Sequence, residues 1–103
     1  MLVSKQPSSG DIVSFKILNG DELIGRISEV RDTEYVFSHP MALTITPQGP
    51  GVVPWLLLGD NSNVKISKGH IFSLVPSKLD AAEQYLDHLE NPKPFTPPPP
   101  PNE

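Results

Sequence analysis

A chain of 103 residues with 13 prolines, seven of them between Asn91 and Glu103, holds one small domain of about 80 packable residues. The net charge of −4 is uneven: residues 1–76 carry six Lys/Arg and seven Asp/Glu, residues 77–103 two and five. The near-neutral body lacks the clustered cations of a broad nucleic-acid surface. The absence of cysteine excludes disulfides, thiolate metal sites and a thiol nucleophile.

Residues 1–10, MLVSKQPSSG, read as a polar irregular arm without the apolar core of a signal peptide. The first strand is expected over Asp11–Leu18, with Val13, Phe15 and Ile17 on one face. Asn19-Gly20 predicts a tight two-residue hairpin turn, since both residues tolerate positive φ. The second strand, Glu22–Arg31, contains Gly25, which marks a sharp bend or a close backbone approach. A hairpin bent in this way begins a sheet that curls into a small barrel.

Arg31-Asp32-Thr33 breaks the pattern before a third strand, Glu34–Thr46, which Pro40 should bulge, bend or confine to an edge. Pro47–Gly51 is turn-rich. The continuous apolar run Val52–Leu58 (VVPWLLL) has two readings: a buried strand with Pro54 at an unpaired position, or a strip shared between subunits. After the turn cluster Gly59–Asn63, short strands fall at Val64–Ile66 and Ile71–Val75, around a Lys68-Gly69 turn. From Ser77 the period becomes helical. Leu79, Ala82, Leu86 and Leu89 share a face, Ser77 and Asp80 resemble a capping box, and Asn91-Pro92 ends the helix. The tail, residues 91–103, is expected to be extended polyproline II, with Pro97–Pro101 as a ligand for a protein partner or simply a loose end.

The stretch Phe15–Ile27, containing Leu18-Asn19-Gly20-Asp21-Glu22-Leu23-Ile24-Gly25-Arg26-Ile27, resembles the first motif of Sm and LSm-like proteins. The spacing of Val64–Leu74 is similar to the second motif. Together with the V-P-W strand and the final helix, the chain most resembles the small Sm-like proteins of tailed phages of marine bacteria. Over residues 11–90 this resemblance implies a mainly β fold: a strongly bent, five-stranded antiparallel small barrel (11–76) with a C-terminal helix (77–90) and a proline-rich tail (91–103). It also implies homo-oligomeric rings of five to seven subunits, joined at strand edges, in the cytoplasm of a bacterial or phage-infected cell.

In that family, RNA is gripped by the loop after the second strand and the turn before the last. By position these are Arg31, Asp32 and Tyr35, and Ser67, Lys68, Gly69 and His70. The motif is altered: Arg31 and Tyr35 stand at the places of the usual acid and Asn, and Ser67-Lys68 replaces Arg-Gly. Tyr35 at the loop mouth offers a face for a base, and Lys68 and His70, repeated round a ring, would make a positive collar. The expected function is therefore non-catalytic binding of single-stranded RNA at the ring pore; the alternative is a structural or protein-interaction ring that has lost RNA. Catalysis is not expected, since Asp21-Glu22 and Asp32/Glu34 are turn acids and no catalytic motif is present. His39, His70 and His88 are too widely spaced for a zinc site, so neither metal nor cofactor is expected, and no apolar run is long enough to span a membrane.

Overall fold

The computed structural model describes residues 6–91. Six antiparallel strands form one sheet: β1 (Ile12–Ile17), β2 (Glu22–Val30), β3 (Glu34–Thr46), β4 (Gly49–Pro54), β5 (Val64–Ser67) and β6 (Ile71–Pro76). A 3-10 turn, Lys68–His70, separates β5 from β6, and α1 (Leu79–Glu90) follows. There are six strands rather than the five that the resemblance implies, because two separate strands, β4 and β5, pair with different parts of β3. The polyproline reading falls on residues 92–103, outside the described residues, as does the first half of the arm. Among the described residues no helix is long and apolar enough to cross a membrane.

The strand path runs β4-β3-β2-β1-β6, with β5 also on β3. The second half of β3 pairs with β4 (Met41↔Pro54 to Thr46↔Gly49) and its first half with β5 (Glu34↔Ser67 to Phe37↔Val64). Since β2 holds the other side of β3, β4 and β5 lie end to end and form one broken edge. β6, paired with β1, is the opposite edge. In β4 the prolines at 50 and 54 have no N–H, so their pairs with β3 are the non-hydrogen-bonded ones. By alternation the polar backbone groups of Pro50, Val52 and Pro54 face outward, and Val52 alone among the three has an N–H to offer there.

Period-two patterning puts Val13, Phe15, Ile17, Leu23, Ile27 and Phe37 into one core with Val64 and Ile66. Phe15 and Phe37 stack there at 4.3 Å. The other face carries Ile24 and Met41, covered by Tyr85, Ala81, Leu86 and Leu89 of α1. Phe37 and Ala42, five residues apart, both pack on the first core, so the parity of β3 changes between them. The change is made at His39, whose φ of +50° is rare for a non-glycine residue, next to buried Pro40. The β2–β3 register slips there, between Ile24 and Arg26, opposite Gly25. A Cβ on Gly25 would lie 3.4 Å from Pro40 Cα and 3.6 Å from the Phe37 ring. Gly25 therefore marks a close approach, with no unusual backbone angle of its own.

Three local expectations need correction. The hairpin loop has three residues, Leu18-Asn19-Gly20: Gly20 N–H donates to Ile17 O, Ile17 N–H to Asp21 O, and of the Asn-Gly pair only Gly20, at +96°, has positive φ. This is a type I turn closed by a left-handed glycine. The helix starts at Leu79 with Lys78 at its N-cap and no side-chain cap. Ser77 instead hydrogen-bonds Ser14, Oγ to Oγ, at 2.8 Å. Leu79 is 76% exposed, and the residue that the helix buries completely is Tyr85.

The Val52–Leu58 run is not a buried strand. Pairing stops at Pro54, and Leu57 and Leu58 are 64% and 103% exposed. Neither β4 nor β5 pairs with the kink of β3. The connecting loop bridges it, with Trp55 N–H donating to Pro40 O and His39 N–H to Asn61 O. Trp55 turns in against the core and leaves the leucines outside.

Candidate nucleic-acid interface

The β3–β5 ladder joins the two segments that carry the candidate residues. Glu34 pairs with Ser67 and Tyr35 with Ile66. At the end of the ladder Lys68 N–H donates to Thr33 O at 2.9 Å, tying the β5–β6 turn to the β2–β3 turn. Arg31 N–H donates to Glu34 O and closes the latter. Ser67 Oγ accepts from Gly69 N–H and caps the 3-10 turn.

Tyr35 and Lys68 meet directly. The Tyr35 ring is half-buried against Phe37, with centroids 5.8 Å apart and planes inclined at 40°. Lys68 Nζ lies 5.1 Å from the Tyr35 centroid, a cation–π distance. One aromatic face and one ammonium group therefore share a small surface patch, braced by the core beneath.

Arg31 is committed elsewhere. Its guanidinium donates to Glu29 at 3.0 Å and to Glu34 at 3.0 Å. The hydrogen bonds to Glu29 and Glu34 raise the arginine's pKa, and the arginine holds the Glu29 carboxyl below its ordinary value. The two acids, two residues before and three after Arg31 in the sequence, neutralise the cation that the positional reading offered to RNA. Asp32 is exposed at the tip of the same turn. Gly69 is exposed and has no positive φ, and a Cβ there would meet nothing closer than Ser67 Oγ at 3.6 Å. Its backbone does not need glycine.

His70 leads away from the patch towards the β1–β2 hairpin: its carbonyl accepts from Leu18 N–H at 3.0 Å, and its side chain is exposed. The fold thus brings Tyr35 and Lys68 together, sets Arg31 beside them in ion pairs, and turns the His70 backbone to a neighbouring loop. Among the described residues no group of three or more His, Asp or Glu could hold a metal ion.

Two residues that no sequence pattern singles out organise the structure. Tyr85 lies off the face that the leucine spacing defines, yet it is the helix residue buried on Ile24 and Met41. Asn61, a turn residue by its sequence, organises the loop before it through its side chain, accepting from Leu56 N–H at 3.3 Å and donating to Leu56 O at 2.9 Å and Gly59 O at 3.3 Å. No family model matches the chain, and no match is found among curated proteins.

Proposed function

We propose that this chain is a non-catalytic, Sm-like small-barrel protein that assembles through its strand edges into a homo-oligomeric ring and binds single-stranded RNA at the Tyr35–Lys68 patch. The observation that carries the RNA reading is the tyrosine ring braced on Phe37 with Lys68 Nζ 5.1 Å from its centre. A base stacking there gains the aromatic face, while the ammonium can swing to a phosphate. Ring assembly is supported by the two edges, β4/β5 and β6, each paired on one side, because open edges in a small domain call for covering.

A second reading, a ring that serves only protein interaction, is favoured by the ion pairs of Arg31 with Glu29 and Glu34. They leave Lys68 as the cation resting on the aromatic face.

Light scattering tests the assembly: a mass of five to seven times the 11.3 kDa chain is expected, and a monomer refutes the ring. Fluorescence anisotropy with short U-rich and A-rich RNAs at moderate salt tests the site. Tyr35→Ala should weaken binding by about 1–3 kcal/mol per stacked base. Absence of binding by wild-type protein at micromolar ring removes RNA and leaves the interaction ring.

A further inference from the structure

The loop between β4 and β5 exposes apolar side chains on a braced frame. Leu56, Leu57 and Leu58 are 38%, 64% and 103% exposed. The Asn61 side chain bonds the Leu56 N–H and the carbonyls of Leu56 and Gly59. The loop ends are fastened to Pro40 and His39, and Asp60 accepts from both Ser62 N–H and Ser62 Oγ. These bonds fix part of the loop backbone beforehand, which lowers the conformational entropy lost when its leucines are buried. Three adjacent exposed leucines on a fastened loop mark a contact surface.

Beside the opposite edge of the sheet lies an open hollow of about 320 Å³, lined by Phe72, Ser73 and Val75 of β6, Ser14, Phe15 and Lys16 of β1 and Glu22 of β2. Phe72 is 76% and Val75 52% exposed. We propose that the Leu56–Leu58 loop of one subunit seats against Phe72, at the start of β6, of a second copy of this chain. The inference rests on the edge-to-edge assembly proposed above and names what holds it together.

A second copy fits because the chain carries both halves of the contact on opposite edges. The loop projects from the middle of the broken β4/β5 edge. A β6 strand laid antiparallel along β4 brings its start, with Phe72, to the loop that follows Pro54. Backbone pairing at β4 is short of donors, since Val52 alone among its outward residues has an N–H. Side-chain burial is therefore the stronger part of the contact. Such a contact is head to tail, so it generates closed rings or open chains rather than a two-fold dimer.

Cysteine pairing tests this cleanly, because the native chain contains none. In the Leu58→Cys/Phe72→Cys double variant, mild oxidation should give a ladder of disulfide-linked multimers on a denaturing gel, with each single variant remaining monomeric there. A Leu58→Cys single variant that dimerises quantitatively would replace the proposal with a loop-to-loop contact. As an independent arm, Leu57→Asp/Leu58→Asp and Phe72→Asp should each reduce the scattering mass to 11.3 kDa with an unchanged circular dichroism spectrum. Mixed in equal amounts they should form a dimer and no larger species, since one intact loop and one intact hollow remain. Wild-type mass retained by the loop variant overturns the clasp while leaving the ring standing; a monomeric wild-type protein overturns both.

Discussion

Tyr85→Phe removes one oxygen and tests how α1 is held to the sheet. The Tyr85 hydroxyl donates to Ser38 O at 2.6 Å and accepts from Arg26 N–H at 3.2 Å. Arg26 and Ser38 are register partners beside the slip in the β2–β3 ladder. The hydroxyl thus stands between two backbone groups that face each other across the slip. Phenylalanine keeps the ring, which is wholly buried on Ile24 and Met41, but leaves an amide and a carbonyl without their partner. One unsatisfied buried group costs about 1–3 kcal/mol. Both residues are only part-buried, so the loss should be about 2 kcal/mol for the pair. For a domain of this size that lowers the melting temperature by about 8–16 °C. Tyr85→Ala should cost about 3–5 kcal/mol, because a large buried ring is lost as well. Urea denaturation followed by circular dichroism measures both, and the Arg26 amide should exchange faster in Tyr85→Phe. A loss below about 0.5 kcal/mol with unchanged exchange at Arg26 would refute the bridging role.

The same phenol predicts an alkaline limit. Burial raises the Tyr85 pKa above its ordinary 10.0, against the opposing hydrogen bond from the Arg26 amide. The folded state therefore holds the proton more tightly than the unfolded state, so this stabilisation is complete below pH 10.0 and is lost as pH rises through the native value. Tyr85→Phe should flatten that alkaline decline in a pH series of melting curves; an unchanged slope would assign it to other groups. Gly25→Ala should shift stability by less than about 1 kcal/mol, because its Cβ makes ordinary contacts at 3.4 and 3.6 Å. Gly25→Val, with nowhere to put two methyl groups, should cost about 1–3 kcal/mol by denaturant titration, and equal effects would refute the close-approach account. Glu29→Gln/Glu34→Gln frees Arg31, and under the RNA reading anisotropy should show binding about two- to fivefold tighter; no change would place Arg31 outside the interface.

The strands were legible where one periodicity acted alone. β3 runs over Glu34–Thr46 as its pattern predicts, and Pro40 announced the break that His39 executes with its positive φ. The hairpin was legible as a turn but not as a loop length, because Asn-Gly serves both the two-residue loop and the three-residue loop found here. Val52–Leu58 misled because a run of apolar residues carries no period. What decided its fate was the kink of β3, which denies the run a strand partner after Pro54. In α1, leucine spacing placed Leu79 inward, yet the helix is registered by the one residue whose hydroxyl finds backbone partners in the sheet. The candidate site was half legible. Glu29 and Glu34 stand at ion-pair spacing from Arg31, a signal that the positional reading of Arg31 leaves unused, whereas the meeting of Tyr35 with Lys68 depends on the β3–β5 register, which no local pattern encodes.

The chemistry of the β4 edge bears on the whole reading. A sheet edge attracts other strands in proportion to the donors and acceptors it presents, and proline on an edge strand is a common way to blunt it. Here Pro50 and Pro54 remove two of the three outward N–H groups of β4, while the loop that follows turns three leucines to solvent. The first feature weakens indiscriminate strand addition, which needs only backbone. The second strengthens association with a surface that can bury leucine, and such a surface lies on β6 of the same chain, at Phe72 and Val75. An edge poor in donors but flanked by exposed apolar side chains selects its partner by apolar burial rather than by backbone pairing. Under the proposed clasp that selection favours copies of this chain over arbitrary strands, and it leaves Tyr35 and Lys68, fixed by β5 to the other end of β3, outside the contact.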